Sequence, residues 1–300
     1  MGATKNLVYV DSASTDDSLE IAAALEVKIV NLDPEQALSA ARARNAGFEQ
    51  LVKNNPDIEY VQFVDGDCEL IEGWIGGAVQ FLEANAGVAL ACGHLYERHP
   101  ESSVFNLLAD IEWSTPCGKI CYSGGIFLVR VDAFLAVDGF RVDLIAGEEP
   151  EFCVRLRSND WDLYKLDLDM ATHDADMQHF YQWWKRSIRD GYAFAEGSRL
   201  HGHTKYKHKV KEKRSAIFWG AILPVTILLL GIFQGWLFLA VSIIYPLQVI
   251  RISFKGQRDK RTNIVWAFFI VLRKIPEFLG IATYNWLRFL GRNSAIIEYK

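Results

Sequence analysis

Basic residues are scarce over the first two thirds of this chain. Through Ser198 there are 15 Lys and Arg against 33 Asp and Glu, a net of −18. From Arg199 onward the balance reverses to 17 against 4, a net of +13, and the two parts sum to the overall −5. An acidic head on a basic, apolar tail excludes a nucleic-acid binder, which needs its positive charge spread where phosphates would lie. Cysteine is also sparse. The five (Cys68, Cys92, Cys117, Cys121, Cys153) are odd in number and show no paired-ligand spacing. Cys117 and Cys121 resemble half a metal motif with no second half, so all five are expected to be reduced thiols in a cytosolic setting. No apolar leader opens the chain: Met1 to Asn6 is polar and runs into a strand, which predicts no signal peptide. Met1-Gly2 begins a myristoylation signal, but Asn6 stands where Ser or Thr is wanted. Internal repeats and low-complexity segments are missing too. What the chain has in quantity is apolar residues, 50% of 300, enough for a large core in one or two domains.

The head alternates short apolar runs with helical patterns. Strands are expected at Leu7–Val10, Val27–Leu32, Tyr60–Val64, Val88–Cys92, Ile126–Val131 and Trp161–Leu168. Between them, Leu19, Ala22, Ala23 and Leu25 mark the apolar face of one helix, with Ser14 or Thr15 as its cap. Leu38, Ala41, Phe48 and Leu51 mark a second over Leu38–Val52, and Glu72–Asn85 is a third. His94 to Tyr122 reads as an irregular excursion containing Pro100, Trp113 and Pro116. Alternating strands and helices with short links predict an α/β fold, a mostly parallel sheet with helices on both faces.

Chemistry concentrates at strand ends. Tyr60-Val61-Gln62-Phe63-Val64 stops abruptly in Asp65-Gly66-Asp67, beyond the carboxyl end of a strand, where open α/β sheets bind ligands. Two carboxylates so close repel one another, and a hard divalent cation (Mg²⁺ or Mn²⁺) relieves the repulsion. A solvated turn is the plainer reading of the same residues. Ser123-Gly124-Gly125 leads a strand, and its glycines either admit a ligand or form a bulge. Gly147-Glu148-Glu149-Pro150-Glu151 opens a helix; its acids complement the positive end of the helix dipole, and they are also candidates for acid–base work. Phe180 to Glu196 is an aromatic, basic helix with Gln182, Trp183, Trp184, Lys185 and Arg186.

The basic stretch from Lys205 to Arg214 leads into 35 residues without a charge, Ala216 to Ile250, interrupted by Pro224, Gln234-Gly235 and Pro246. A spanning helix needs about 20 residues, so this run is too long for one and barely enough for two. A hairpin dipping into the bilayer fits, with basic residues at both ends on the cytoplasmic face. From Ile264 to Leu290 the pattern is that of an amphipathic interfacial helix. The expected organisation is a catalytic domain over 1–198 and a membrane-associated tail over 199–300.

Several blocks, in order, resemble a family 2 glycosyltransferase of the GT-A fold. Val10-Asp11-Ser12-Ala13-Ser14-Thr15-Asp16 is similar to the family's Val-Asp-Asp-Gly-Ser-Thr-Asp, and Ala43-Arg44-Asn45-Ala46-Gly47 to its Ala-Arg-Asn-x-Gly. Asp65-Gly66-Asp67 matches Asp-x-Asp. Glu148-Glu149-Pro150-Glu151-Phe152-x-x-Arg155 resembles Glu-Asp-x-Asp-Leu-x-x-Arg. The resemblance implies that Asp11 binds the nucleobase, that Arg44 lies near the nucleotide, and that Asp65 contacts the ribose or a metal-bound water. It implies that Asp67 ligates the metal on the diphosphate, with His173 as a further ligand. Glu149, or its neighbour Glu148, stands where the family has a general base. Gly124 and Gly125 match an acceptor-side segment, and Gln182, Trp183 and Arg186 would form an acceptor wall, the plainer reading being a core-packing helix.

The implied activity is inverting transfer of a single sugar from a nucleotide-diphospho-sugar, first of all a UDP-sugar. The acceptor would be a lipid-linked or saccharide hydroxyl at the cytoplasmic side of the cell membrane, in surface polysaccharide or glycolipid synthesis. The family begins with one more strand and helix; here the chain starts at what would be the second strand. A non-catalytic membrane-bound partner derived from such an enzyme, and a nucleotidyltransferase, are the competing readings.

Overall fold

The computed structural model describes residues 6–36, 38–234 and 236–291; the Met1-Gly2 signal and the Gly235 break lie outside them. Packing divides the chain between Asp176 and Met177 into two units, whereas the charge divide falls at 198/199.

The first unit runs β1 (Val8–Asp11), α1 (Ser18–Ala24), β2 (Lys28–Asn31), α2 (Ala40–Asn54), β3 (Tyr60–Phe63), β4 (Cys68–Leu70), α3 (Trp74–Ala84), β5 (Val88–Glu97), α4 (Val104–Trp113), β6 (Gly118–Lys119), β7 (Phe127–Arg130), α5 (Val131–Leu135), α6 (Glu148–Ser158) and β8 (Asp162–His173). β1 and β2 form one parallel pair, and the remaining strands form a second sheet in the order β3-β7-β5-β8-β4, with β6 also on β8. The α/β architecture is present, but strand directions are mixed rather than mostly parallel. β5 and β8 are parallel, while β3–β7, β4–β8, β5–β7 and β6–β8 are antiparallel. β4 and β6 span only three and two residues, too few to leave a period in the sequence. β7 returns from the excursion and runs against both its neighbours.

Period-two alternation sorts the core into two layers. Phe63 pairs in register with Phe127, and their rings meet at 5.3 Å. On that face Phe127 packs on Phe152 at 6.1 Å, Phe140 on Phe152 at 4.7 Å, and Phe134 on Phe48 at 4.0 Å. Burial of each such ring stabilises the fold by about 1.5–3 kcal/mol. Gln62, one residue before Phe63, points the other way and accepts a 2.8 Å hydrogen bond from the indole Nε1 of Trp74 on α3. That bond lets a fully buried tryptophan keep its polar edge satisfied.

Part of the excursion is regular. β5 continues to Glu97, and α4 starts where Ser103 Oγ accepts from the Asn106 amide at 3.0 Å, an N-cap that sets a regular helix inside the stretch expected to be irregular. α1 is capped by neither Ser14 nor Thr15; its N-cap position is Asp17. Of the apolar face expected there only Ala22 is buried, and Leu25 is 58% exposed.

The second unit consists of α7 (Phe180–His201), α8 (Val210–Ile217), a π-helical turn (Phe218–Ile222), α9 (Leu223–Gln234), α10 (Leu237–Ser242), α11 (Ile244–Ser253), α12 (Lys260–Leu272) and α13 (Lys274–Phe289). The single amphipathic helix expected over 264–290 is divided at Arg273 into α12 and α13. α13 buries Pro276, Glu277, Gly280, Ile281 and Tyr284. It lies against α7 through two glycines: a Cβ at Gly191 would stand 2.6 Å from the Glu277 Cα, and one at Gly280 would stand 2.7 Å from the Tyr192 nitrogen. Arg273 closes the contact on Asp190 at 2.9 Å. Val210–Phe233 is continuous over 24 residues, with a mean hydropathy of 2.4 in its most apolar window, long and apolar enough to cross a membrane by length and composition. Leu228, Leu229, Ile232 and Phe233 along it are exposed.

Candidate active site

The site is organised by a charge on the wrong side of a helix. Ala41, Phe48 and Leu51 of α2 are buried, and Arg44 falls at the i+3/i−4 position among them, on the same inward stripe. Its side chain is 11% exposed. The guanidinium donates Nη2 to Asp65 Oδ1 at 2.6 Å and Nη1 to Glu148 Oε1 at 3.0 Å, and lies over the Phe140 ring at 5.6 Å. Burial works against its charge, but Asp65 and Glu148 outweigh that cost and hold its pKa above the ordinary arginine value. A rigid fork suits two separate carboxylates better than an ammonium would. One cation thus joins the end of β3 to the start of α6. At Gly125 an added Cβ would run into the Asp65 carboxylate and stand 2.9 Å from Arg44 Nη2, so the close approach there is to this ion pair. Gly124 adopts φ +84°, a turn conformation that glycine takes without strain.

Glu149, the next residue, has different surroundings. It is buried, and its Oε1 accepts from the Ser123 amide at 2.7 Å, from Ser123 Oγ at 2.8 Å and from Cys153 Sγ at 2.9 Å. Cys153 is one helical turn along α6, on the same face. Burial raises the carboxyl pKa; the Cys153 and Ser123 hydrogen bonds oppose that rise, and the Glu148 charge adds to it. The same burial, with Glu149 beside it, keeps Cys153 a thiol. All three bonds fall on Oε1. Glu149 is therefore a desolvated carboxylate of raised basicity with Oε2 outside that cradle, a fit for taking a proton. Glu148, held on Arg44, is the ion-pair member of the two.

Asp67 lies two residues beyond Asp65, at most about 7 Å along the chain. β4 pairs with β8 so that Cys68 sits opposite His173, and this brings His173 Nε2 to 3.5 Å from Asp67 Oδ2. The other ring nitrogen, Nδ1, stands 3.5 Å from Glu97 Oε2, and the ring meets Trp113 edge-on at 4.5 Å. Glu97 is buried and is fixed by the Ala175 amide at 3.2 Å and Asn106 Nδ2 at 3.3 Å. Asp67, Cys68 and His173 offer ligand atoms within 4.8 Å of one another. A carboxylate and an imidazole 3.5 Å apart stand at about the spacing that two donors on one divalent ion leave between them. A carboxylate behind the second ring nitrogen is the usual way a ligating histidine is oriented. The residues fit a divalent cation.

The remaining candidates divide. Asp11 is buried, and its Oδ2 accepts from the Ala13 amide at 3.0 Å, shaping the turn after β1. Gln182, Trp183 and Arg186 belong to the second unit. Gln182 Oε1 accepts from the Gln178 and His179 amides, both at 2.9 Å, at the start of α7. Trp183 is buried, edge-on to Phe269 at 5.0 Å, and Arg186 Nη1 lies 4.0 Å from the Met177 sulfur. Residue patterns missed Glu97, Ser123 and Cys153 as parts of the site. Glu97 ends a ten-residue strand expected to stop at Cys92; a lone acid closing an apolar run was the available signal.

The sequence model described as Glycosyl transferase family 2 matches residues 2–129. Among solved structures, the mannosyltransferase PcManGT from Pyrobaculum calidifontis, in complex with GDP-Man and Mn²⁺, is 13% identical over 93% of this chain and 77% of its own, with a TM-score of 0.61. That likeness is one of fold. S. aureus TarS 1-349, in complex with UDP-GlcNAc, is 14% identical over 95% of this chain and 82% of its own; its TM-score of 0.47 carries no weight. No curated protein matches the chain.

Proposed function

We propose, from the match of the Glycosyl transferase family 2 model to residues 2–129, that the chain is a glycosyltransferase of that family and moves a single sugar from a nucleotide-diphospho-sugar to an acceptor hydroxyl, with inversion at the anomeric carbon. The observation that carries this reading is the fork of Arg44, which holds Asp65 and Glu148 on one guanidinium. It supports a single cleft flanked by the metal-type donors after β3 and the basic glutamate of α6.

Within that cleft Glu149 takes the proton of the attacking hydroxyl on Oε2, while Ser123 and Cys153 hold Oε1 still. One base suffices when attack comes opposite the leaving group, so the product is inverted. Positioned proton transfer of this kind contributes about 10²–10⁴-fold. Asp67 and His173 would hold Mg²⁺ or Mn²⁺, with Glu97 fixing the imidazole. When bound, the ion supplies positive charge for the departing diphosphate. The GDP-Man and Mn²⁺ in the PcManGT complex support a nucleotide sugar and a divalent ion here. Uridine diphosphate is the first nucleotide to test. The apolar helix Val210–Phe233 and the +13 tail support a membrane-held enzyme with a lipid-linked acceptor on the cytoplasmic side.

Purified full-length protein, given nucleotide sugars with Mn²⁺ or Mg²⁺, should release nucleoside diphosphate. Asp67→Ala should lower that release by about 100-fold or more. Its melting temperature should change little, since the Asp67 side chain is 32% exposed. Full activity in this variant would sink the assignment. Release of pyrophosphate would favour a nucleotidyltransferase, and failure of calorimetry to detect metal-dependent nucleotide binding would favour a non-catalytic role.

A further inference from the structure

A second set of metal-type ligands stands apart from Asp67 and His173. His94 on β5, Cys117 just before β6 and Asp167 on β8 offer one ligand atom each, all within 4.8 Å of one another. His94 Nε2 lies 2.9 Å from Asp167 Oδ1, and Cys117 Sγ lies 3.7 Å from the same nitrogen. We propose that these three side chains bind a zinc-type transition cation, leaving a fourth position to water.

The backbone builds this cluster. From the Cys92–Lys165 pair to the His94–Asp169 pair, β5 advances two residues while β8 advances four. The surplus on β8 is a bulge containing Asp167, and bulges re-aim side chains. Cys117 is delivered by its neighbour: Gly118 pairs in register with Lys165. The buried Lys165 ammonium then ties down the incoming loop, donating to Trp113 O at 3.1 Å and to Thr115 O and Oγ1 at 2.9 Å each. Cys117 Sγ comes to 3.5 Å from Leu166 O. Three segments distant in sequence thus converge on one point, each held by its own pairing.

The donor set selects the ion. Thiolate, imidazole and carboxylate together are a tetrahedral zinc set, whereas Mg²⁺ prefers oxygen alone. A thiolate about 2.3 Å and an imidazole nitrogen about 2.0–2.1 Å from a tetrahedral zinc stand roughly 3.6 Å apart, close to the 3.7 Å found between Cys117 and His94. One thiolate and one carboxylate neutralise the ion's two charges with the imidazole neutral. The thiol proton passes to solvent as the metal binds. The bound ion would clip the loop after α4 to β5 and β8.

The test uses full-length protein purified without chelator and then dialysed against zinc. Elemental analysis should find one zinc per chain fewer in Cys117→Ser than in the wild type, and replacement by Co²⁺ should give a thiolate-to-cobalt charge-transfer band that the same variant weakens. Cys117→Ser and His94→Asn should each weaken binding by about 100-fold or more, since even outer-shell changes cost about 10–100-fold. Cys121→Ser, at a cysteine outside the cluster, should leave it unchanged. Cys117 is exposed, so its replacement leaves the core intact, and bound zinc should slow its alkylation in the native protein. A missing cobalt–thiolate band, or a band and zinc content unchanged by Cys117→Ser, would overturn the proposal. Neither result touches the transferase reading, which has nucleoside diphosphate release as its own readout.

Discussion

Glu148 and Glu149 are adjacent in sequence, begin the same helix and meet opposite surroundings. The first gives its carboxylate to Arg44 at 3.0 Å; the second is enclosed by an amide, a hydroxyl and a thiol. Asp65 and Asp67 repeat the division: Asp65 is on the same guanidinium at 2.6 Å, and Asp67 faces an imidazole at 3.5 Å. Arg44 takes one acid from each pair. The lesson is that an acidic motif need not act as a unit, because a single cation inside the fold can turn half of each motif into framework.

The sharpest way to break this comparison is Glu149→Gln. Transfer should fall by about 10²–10⁴-fold, read as nucleoside diphosphate release, whereas Glu148→Gln should lose far less. Stability should move the other way. Because burial raises the Glu149 pKa in the folded state, its contribution to stability is full below the unfolded glutamate value and is lost as pH rises through the folded one. Glu149→Gln should therefore melt at or above the wild type at pH 8 and lose that advantage in acid, and a lower melting temperature at pH 8 would contradict the assignment.

Arg44→Ala comes next. It strands a half-buried Glu148 and a part-exposed Asp65, and should cost on the order of 2–4 kcal/mol, less than a fully buried pair because the Asp65 side chain is 40% exposed. Urea unfolding would measure it, and Arg44→Lys should recover only part of the loss. Cys153→Ala should have the smallest effect. It removes one donor to the ionised Glu149, so the acid limb of the activity profile, already displaced above the ordinary glutamate range, should move further up in pH with little change in the plateau.

Much of the head was legible because periodicity is a property of long elements. The face of α2 and the core of β3 follow from spacing alone, as does the position of Asp65-Gly66-Asp67 beyond a strand. What stayed hidden was short or dependent on distant residues. β4 has three residues and no pattern, yet its register with β8 is what brings His173 to Asp67. Ser123 and Cys153 are unremarkable in sequence and matter only because each folds against Glu149. α4 could have been read from Ser103 and the apolar residues after it, and was obscured by Pro100. In the tail, an amphipathic pattern predicts an apolar face but not what covers it; the glycines of α7 and α13 decide that for α13.

The seat of Arg44 on the inner stripe of α2 has a mechanical consequence. Each residue of a helix turns the next by about 100°, so adding or removing one residue between Ala41 and Arg44 would rotate the guanidinium off both carboxylates together. The cleft's geometry is consequently indexed by the seating of Ala41, Phe48 and Leu51 in the core, and substitutions that look confined to hydrophobic packing would be felt as a misalignment of chemistry a full turn away.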